Sequence, residues 1–359
     1  MIQRNFYAVI LAGGSGERFW PLSTSERPKQ FLKLFGGKSL LRQAAERLHG
    51  ITTPERVIVI TSSRLAAATR RELPELPREN VVAEPCRRDT AAAIAVACGI
   101  VRRRGGENAV GAILTADQLM KKPAVFRRML LDAVKAASET DSIVTLGVKP
   151  DYPSTGFGYI EPAEKATVKT ATEIRRVRRF AEKPDAATAA RYIRRGYVWN
   201  AGMFVWKAAT LRKAFADHAP EFVGIADAVA AARNPASPIR RIYPGVTRIS
   251  FDFAVMEKAS NVLVAMGDFG WDDVGSWTAV ERHFPADASS NFVIGKATAI
   301  DSSRSVLVAD GADIAVLGLN DIVVVTTGRH VLVADKARVQ ELKKLVGAVE
   351  ASDARHSKK

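Results

Sequence analysis

The chain has 359 residues, of which 47% are hydrophobic and 25% charged, and it carries a formal net charge of +15. This composition is typical of a globular protein, and no apolar run reaches the roughly 18–20 residues that a membrane span needs. The arginines recur as doublets along the chain without interleaved aromatic residues. The charge therefore favours anionic small substrates over a nucleic-acid partner.

The N-terminus and the cysteines indicate a compartment. Residues Met1–Asn5 lead directly into an apolar run and lack the apolar core and the cleavage site of a signal peptide. Cys86 and Cys98 are too few for a disulfide framework, and neither belongs to a C-x-x-C pattern. We therefore expect a cytoplasmic protein with no membrane partner.

The first 150 residues alternate between predicted strands and predicted helices. Such alternation predicts an α/β fold, a Rossmann-like, mostly parallel or mixed sheet with helices on both faces, whose ligands lie at the carboxyl ends of the strands. The strands are predicted at 6–11, 56–61, 81–83, 110–115 and 142–148, and the helices at 40–49, 64–72, 90–104 and 124–138.

A glycine-rich loop follows the first predicted strand. It contains Leu11, Ala12, Gly13, Gly14 and Gly16, whose backbone N–H groups can approach a phosphate closely. Arg18 and Lys29 place positive charge beside it. The dinucleotide-binding fingerprint would need a glycine where Phe19 stands, and no Gly-Lys-Ser/Thr follows at the Walker spacing. The loop is therefore predicted to bind a polyphosphate through a motif that differs from both the dinucleotide-binding fingerprint and the Walker motif.

The pattern changes twice further along the chain. Residues 155–280 mix strands with helices, and short apolar runs separated by turn residues occupy 291–335, an arrangement compatible with a few coils of β-helix. We predict a large domain over residues 1–284 and a small β-rich domain with a terminal helix over 285–350. A basic tail over 351–359 follows.

Two aspartates come at the ends of apolar strands. Asp117 follows Ile113-Leu-Thr-Ala, and Asp273 lies in Trp271-Asp-Asp-Val-Gly-Ser-Trp277. Mg²⁺ is commonly bound by one or two carboxylates together with substrate phosphates, so two separated aspartates would be enough to hold this ion.

The glycine loop resembles the signature of the sugar-nucleotide pyrophosphorylases, L-A-G-G-x-G-x-R-x-x-P-L with P-K downstream. The variant Gly16-Glu-Arg-Phe-Trp-Pro-Leu-Ser23 with Pro28-Lys-Gln-Phe31 is most similar to the mannose-1-phosphate guanylyltransferases, or GDP-mannose pyrophosphorylases. The resemblance implies a nucleotidyltransferase fold for residues 1–284. It also implies transfer of GMP from GTP to α-D-mannose 1-phosphate, which yields GDP-mannose and pyrophosphate, with Mg²⁺ as cofactor.

Further motifs extend the resemblance and imply residue roles. The segments are Glu84-Pro-Cys-Arg-Arg-Asp-Thr90, Thr155-Gly-Phe-Gly-Tyr159, Phe180-Ala-Glu-Lys-Pro184 and Trp199-Asn-Ala-Gly202. By resemblance, Lys183 meets the sugar phosphate, Glu182 a sugar hydroxyl, and Gly158 and Asn200 the hexose. The nucleotide role falls to the glycine loop with Glu84, Arg88 and Thr90, and the catalytic cations are Arg18, Lys29 and Lys183. The metal ligands are Asp117 and Asp273 rather than Asp272.

Three departures from the family pattern leave alternatives open. Gln118 replaces a histidine, Asp89 an asparagine and Ala92 a proline. A pyrophosphorylase of other specificity, such as a glucose-1-phosphate thymidylyl- or uridylyltransferase, is one alternative. A catalytically silent paralogue that binds a sugar nucleotide and regulates a partner is another. We expect a homodimer in which the β-rich domain mediates association.

Overall fold

The structure is a computed structural model that describes residues 5–14 and 16–356, with side chains up to residue 353. The chain divides into two compact units. The first unit comprises residues up to Gly13 together with Leu41–Asp272, and the second comprises Gly14–Leu40 together with the residues from Asp273 onward. Gly14 and Gly16 of the glycine loop thus belong to the same unit as the C-terminal β-strands, whereas Leu11, Ala12 and Gly13 belong to the first unit.

The first unit alternates strands and helices as predicted. Its strands are β1 (Phe6–Leu11), β2 (Val57–Ser62), β3 (Val81–Glu84), β4 (Val110–Thr115), β5 (Leu119–Met120), β6 (Ile143–Val148), β7 (Tyr159–Lys165), β8 (Glu173–Ala181), β9 (Val198–Lys207), β10 (Val262–Gly267) and β11 (Trp271–Asp272). The α-helices are α1 (Leu40–Glu46), which begins at the junction of the units, α2 (Ala66–Glu72), α3 (Asp89–Gly105), α4 (Pro123–Glu139), α5 (Ala186–Arg194), α6 (Ala208–His218), α7 (Val223–Ala231) and α8 (Ala236–Ile242). A π-helical segment covers Asp252–Met256.

A mixed sheet forms the centre of the first unit. Among the described residues it has nine strands in the order β3-β2-β1-β4-β9-β6-β10-β8-β7. β1 runs parallel to β2 and β4, whereas β9 lies antiparallel between β4 and β6. The first five residues of β1 and of β4 are all buried, as continuous apolar runs of central strands should be. The predicted fold class is confirmed.

Small residues allow close packing on helix α3. Residues Ala91 to Val101 of this helix are buried throughout, and a Cβ at Gly99 would lie 2.5 Å from the carbonyl oxygen of Ala226 in α7. Glycine at this position therefore lets the two helices approach closely. The contact fixes α3, whose first turn follows β3 and the predicted nucleotide residues.

The second unit contains a short β-helix. Its elements are α9 (Val280–His283), β12 (Phe292–Ile294), β13 (Ala297–Ile300), β14 (Val306–Ala309), β15 (Ile314–Leu317), β16 (Ile322–Thr326), β17 (Val331–Asp335) and α10 (Leu342–His356). β12, β14 and β16 stack in parallel, and so do β13 and β15. Side chains 17 residues apart, such as Arg304 and Asp321, pair between successive coils.

The C-terminal helix is longer than predicted. A 3₁₀ segment over Lys336–Glu341 precedes α10, which continues to His356, beyond residue 350 where the domain with the terminal helix was predicted to end. Residues 351–356 of the predicted tail are therefore helical, and the remaining residues 357–359 lie outside the described part. No helix within that part is both long and apolar enough to cross a membrane.

Candidate active site

The first part of the site lies where β1 and β3 end in the first unit. The N–H of Ala12 donates to the carbonyl of Ile60 at 2.8 Å, which carries the chain on from Leu11 beside β2. A Cβ on Gly13 would lie 3.1 Å from Oε2 of Glu84. Glycine at position 13 therefore allows the Glu84 carboxylate to lie against the loop backbone.

Glu84 is fixed by a tyrosine far away in sequence. The hydroxyl of Tyr243 donates to Oε1 of Glu84, which leaves Oε2 facing Gly13. Burial raises the pKa of Glu84, and the hydrogen bond from Tyr243 opposes that rise. Burial and the Glu84 charge also raise the pKa of Tyr243, so the tyrosine is the donor at neutral pH.

The start of α3 holds a neighbouring chain segment. Arg88 donates to the carbonyl of Pro244, and the N–H of Phe251 donates to Oγ1 of Thr90 at 2.8 Å. Asp89 has a φ of 62°, a conformation that asparagine and aspartate adopt more readily than most residues. This explains why Asp89 can replace the asparagine of the family pattern. The contacts of Arg88 and Thr90 with nucleotide stay predictions.

Asp117 is half-buried just after β4, and its neighbour Gln118 is held at both ends of its amide. Nε2 of Gln118 donates to the carbonyl of Ala201 at 3.1 Å, while Oε1 accepts from Nε1 of Trp271 at 2.8 Å. A neutral amide can donate and accept at every pH, so Gln118 supports the loop after Asp117 without titrating. The pairing of β5 with β11 then sets Leu119 opposite Asp272.

Asn200 is the centre of the predicted sugar-binding part, which also lies in the first unit. Its Oδ1 accepts from Oγ1 of Thr145 at 2.9 Å and from the N–H of Gly202 at 3.1 Å, and its Nδ2 donates to Oδ1 of Asp252 at 3.0 Å. Its own N–H donates to the carbonyl of Gly158 at 2.8 Å. These bonds fix the amide plane of Asn200.

Charged groups gather beside Asn200. Burial and the negative charge of Glu182 raise the pKa of Asp252 to about 7. Nζ of Lys183 donates to Oε1 of Glu182, and a Cβ on Gly158 would lie 2.6 Å from Oε2 of the same carboxylate. Glycine at 158 thus leaves room for Glu182, and Lys183, 59% exposed, keeps its ammonium group accessible.

The second unit holds Gly14 and Gly16 of the glycine loop. Gly16 has a φ of 60°, and any Cβ there would collide with the side chain of Lys29. Oγ of Ser23 donates to the carbonyl of Gly16 at 2.5 Å, and Nε2 of Gln30 donates to that of Gly14 at 3.4 Å. Ser23 and Gln30, which follow the loop in sequence, therefore hold its backbone in place.

Lys29 and Asp273 lie together in the second unit. Lys29 is 7% exposed, and its Nζ donates to the backbone carbonyl of Asp273 at 2.5 Å. Val274 follows with a φ of 47°, a strained conformation for a β-branched residue that its complete burial maintains. Such strain is often found at functional sites.

Arg18 lies on the surface of the same unit. Its Nη1 lies 3.5 Å from Oε1 of Gln340, whose Nε2 donates to Oγ of Ser276 at 3.1 Å. Phe19, the next residue, is buried against Trp277 with ring centroids 5.0 Å apart. The buried neighbour anchors the backbone, so the guanidinium group projects from a fixed point.

Comparison with known proteins covers nearly the whole chain. The nucleotidyl transferase family model matches residues 7–290, and the model of the MannoseP isomerase/GMP-like beta-helix domain matches residues 295–349. A mannose-1-phosphate guanylyltransferase of Escherichia coli K12 is 34% identical over 99% of this chain and 76% of its own length. That of Sinorhizobium fredii is 34% identical over 96% and 68%. The chain belongs to the mannose-1-phosphate guanylyltransferase family.

A solved structure agrees with this family assignment. The crystal structure of mannose-1-phosphate geranyltransferase from Thermus thermophilus is 36% identical and superimposes with a TM-score of 0.87. The match covers 96% of this chain and 99% of that one. The resemblance inferred from the glycine loop is therefore confirmed for the family and for both parts of the fold.

Sequence analysis missed two supporting residues, Tyr243 and Thr145. Tyr243 stands 159 positions from Glu84, and Thr145 lies inside an apolar strand. Asp252 lies in Ser250-Phe-Asp-Phe-Ala-Val-Met-Glu257, which resembles another family segment and predicts either a sugar-side role or a helix N-cap role for this aspartate. No local pattern marks the first two, because their role comes from partners that only the folded chain brings close. The structure places Oδ1 of Asp252 3.0 Å from Nδ2 of Asn200, beside the predicted sugar-binding residues.

Proposed function

We propose that this chain transfers GMP from GTP to α-D-mannose 1-phosphate, with release of pyrophosphate. The observation that carries the proposal is the glycine loop, whose Gly16 accommodates the buried Lys29 and whose sequence is the family signature. Sequence identity with guanylyltransferases over nearly the full chain supports the same reaction.

The reaction needs charge neutralisation more than proton transfer. A phosphate oxygen of mannose 1-phosphate attacks the α-phosphorus of GTP, the bond to the bridging oxygen of the β-phosphate breaks, and pyrophosphate leaves. Because the attacking oxygen is already anionic, no general base is required. In the proposal Arg18 binds the β- and γ-phosphates, Lys29 the α-phosphate and Lys183 the sugar phosphate, so fixed cations offset the charge of the transition state.

We assign the Mg²⁺ ligands to Asp117 and Asp273. The described residues hold no cluster of three or more acidic, histidine or cysteine side chains of the kind that holds a metal alone, whereas Mg²⁺ needs only one or two carboxylates beside substrate phosphates. A Cβ on Gly275 would lie 2.7 Å from Oδ2 of Asp273, so glycine there leaves this carboxylate its space. Bound Mg²⁺ would neutralise phosphate charge.

Glu84 is proposed to select the base. Guanine presents two adjacent donors, N1–H and N2–H₂, which a carboxylate can accept, and adenine and the pyrimidines do not offer that pair. The bond from Tyr243 to Oε1 and the closeness of Gly13 to Oε2 support a fixed orientation for this carboxylate. The hexose would be bound by Asn200, Glu182 and the backbone at Gly158.

The deciding experiment measures pyrophosphate release with mannose 1-phosphate and Mg²⁺ in parallel reactions with GTP, ATP, UTP, CTP and dTTP. We expect strong preference for GTP. If the chain turns over dTTP or UTP with glucose 1-phosphate instead, the proposed substrate specificity is wrong and the proposed mechanism is kept. An absence of turnover across nucleotides and sugar phosphates would contradict the enzymatic proposal and favour the silent paralogue.

We also propose a homodimer in the cytoplasm. Large apolar side chains are exposed on the β-helix, including Leu317 at 71% and Val331 and Val333 at 63% each, and exposed apolar patches commonly mark protein interfaces. Light scattering at micromolar concentration should give twice the chain mass, and a monomer would contradict the proposal. Cell fractionation tests the compartment.

A further inference from the structure

A second basic cavity lies in the first unit, at the edge strand β3 of the sheet. Its volume is about 640 Å³, within the range of small-molecule sites. Ala83 and Pro85 line it while Glu84 between them does not, so it is separate from the side chains proposed to select the base. The cavity is lined by Arg70, Arg78, Arg103, Arg104, Arg233 and Arg240, here called the arginine pocket.

The six arginines of this pocket outnumber the acidic residues in its described lining, which are Glu79 alone. Among the described residues no ion pair joins any of the six to an acidic group, although Glu79 also lines the cavity. Arg102, on the same helix as Arg103 and Arg104, is paired with Glu107 at 2.6 Å and with Asp227 at 2.5 Å. Acidic partners are therefore present next to this helix, but within the part of the chain that the structure describes the six pocket arginines form no ion pair with them.

Main-chain carbonyl groups hold several of these arginines in place. Arg103 donates to the carbonyls of Ala232 and Arg233 at 2.6 and 2.8 Å, and Arg104 donates to that of Glu55 at 3.1 Å. Carbonyl acceptors orient a guanidinium group but leave its charge uncompensated. Burial lowers the pKa of Arg104, and the nearby charge of Glu79 opposes that shift.

Below the arginines the cavity has an apolar floor. Val81 and Ile239 line it and are themselves almost fully buried, as is Ile100 on α3. Arginine is well suited to phosphate because its fork of N–H donors matches two phosphate oxygens. The volume of the cavity leaves room beside the arginines for an organic group.

We propose that the arginine pocket is a second anion-binding site, which takes a phosphorylated small molecule of about nucleotide size. The phosphates meet the arginine rim, and the organic part occupies the rest of the cavity, whose lining includes the apolar residues Pro85, Pro235 and Ala236. The site is distinct from the proposed catalytic residues, and its existence does not depend on the proposed function.

The test uses calorimetric titration with ATP in the presence of EDTA. The parent for this test is the full chain with Arg18→Ala and Lys29→Ala, which removes the cations proposed to bind nucleotide in the active site. We expect ATP to bind this chain, and adding Arg78→Gln with Arg240→Gln to weaken binding at least roughly tenfold, as loss of charge-assisted bonds implies. Both arginines are exposed, so the main-chain bonds of Arg103 and Arg104 remain.

The matched control adds Arg128→Gln with Arg194→Gln, two exposed arginines on α4 and α5 outside the pocket. It removes the same charge and should change the affinity less than about twofold. Failure of ATP to bind the parent, or equal weakening by both pairs, overturns the proposal.

Two further measurements complete the test. If the double pocket variant melts below its parent, the single variants Arg78→Gln and Arg240→Gln replace it, and each should weaken binding about threefold. Unchanged affinity in both singles would overturn the site. Inorganic tripolyphosphate should bind more weakly than ATP, and equal affinity would overturn the role of the apolar lining.

Discussion

Lys29 is a buried cation whose ammonium group holds the backbone of the segment that carries Asp273. Lys29→Ala removes both this bond and the charge proposed to meet the α-phosphate. We expect kcat/KM for GDP-mannose formation to fall roughly 100- to 1,000-fold, as for loss of other donors that stabilise developing charge. Steady-state assays of pyrophosphate release measure it.

Lys33 supplies the control for this substitution. It lies in the same segment but is exposed, so Lys33→Ala should leave kcat/KM within about twofold. Near-normal kinetics of Lys29→Ala would remove this lysine from the proposed catalytic set.

The pair formed by Tyr243 and Glu84 tests how the base is selected. Tyr243→Phe removes a donor that lowers the pKa of Glu84, so the pKa rises and less carboxylate is ionised. We expect KM for GTP to rise about tenfold, as loss of one hydrogen bond to a charged group implies, and to rise further as the pH falls. Steady-state kinetics across pH 6–9 measure the change.

Tyr197 offers a matched comparison, since its hydroxyl donates to Oε2 of Glu161 at 2.7 Å in the same unit. Tyr197→Phe removes a similar bond away from Glu84, and KM for GTP should not depend on it. Equal effects of the two substitutions would show that Tyr243 acts on stability alone.

The raised pKa of Asp252 predicts that the free energy of unfolding depends on pH. Its pKa is raised to about 7 in the folded chain, so the unfolded chain releases this proton at lower pH than the folded chain does. Asp252 therefore destabilises the fold fully above pH 7, and the effect fades as the pH falls toward 4. Asp252→Asn should raise the free energy of unfolding at pH 8 by up to about 4 kcal/mol and change little at pH 4.

Asp185 should show the opposite sign. It caps α5 by accepting from the N–H of Thr188 at 2.7 Å, and that bond holds its pKa below the usual range. Its stabilisation is present at neutral pH and is lost in acid, so Asp185→Asn should destabilise at pH 8 and not at pH 2. Urea unfolding at each pH compares the two, and parallel curves would contradict the assignment.

At the scale of elements, the β-helix depends on glycine where coils turn. Gly295 has a φ of 84°, and a Cβ there would collide with the carbonyl oxygen of Ala309 in the next coil. Gly295→Ala should lower the unfolding midpoint in urea by an amount equivalent to about 3 kcal/mol, since both backbone conformation and coil spacing oppose it.

A substitution at Gly318 separates the effect of backbone conformation from that of coil spacing. Its φ is 69°, but a Cβ there would meet open space. Gly318→Ala should therefore cost only the conformational part, about 1 kcal/mol. A loss as large as that of Gly295→Ala would mean that steric contact between coils does not matter.

The elements also show where sequence reasoning succeeds. Strands β1 and β4 were predicted to the residue because both are continuous apolar runs bounded by polar turns. Helix α1 ends at Glu46 instead of His49, since tighter turns replace its last predicted residues. β5 and β11 have two residues each, which is too short for any periodic signal, and their pairing depends on the folded sheet.

The candidate site also contains residues that local sequence predicts and residues that it does not. Its glycines and lysines were predicted from local motifs, and a Cβ on Gly158 would lie 2.6 Å from Oε2 of Glu182. The partners that set protonation and orientation, Tyr243 above all, reach the site from distant segments. Local patterns report backbone geometry well, but they do not report which side chain will be packed against a carboxylate.

At the scale of the whole molecule, residues 14–40 belong to one unit with the C-terminal region. Nε1 of Trp277 donates to the carbonyl of Trp20 at 3.0 Å, and the ring of Trp20 lies 5.2 Å from that of His330. Arg18 also contacts Gln340. The C-terminal region therefore supports the segment that carries Arg18 and Lys29.

This arrangement predicts the effect of a truncation. A chain that ends at Pro285 keeps all five residues proposed to be catalytic but loses His330, Gln340 and the packing of α10 on residues 17–19. We expect its kcat/KM to fall more than about tenfold, because misplacement of about 1 Å at fixed cations can cost far more than that. A chain that ends at His356 loses three residues only and should remain as active as the full chain. If the shorter chain also kept its activity, residues 286–359 would be an independent appendage, as the predicted boundary after residue 284 implies.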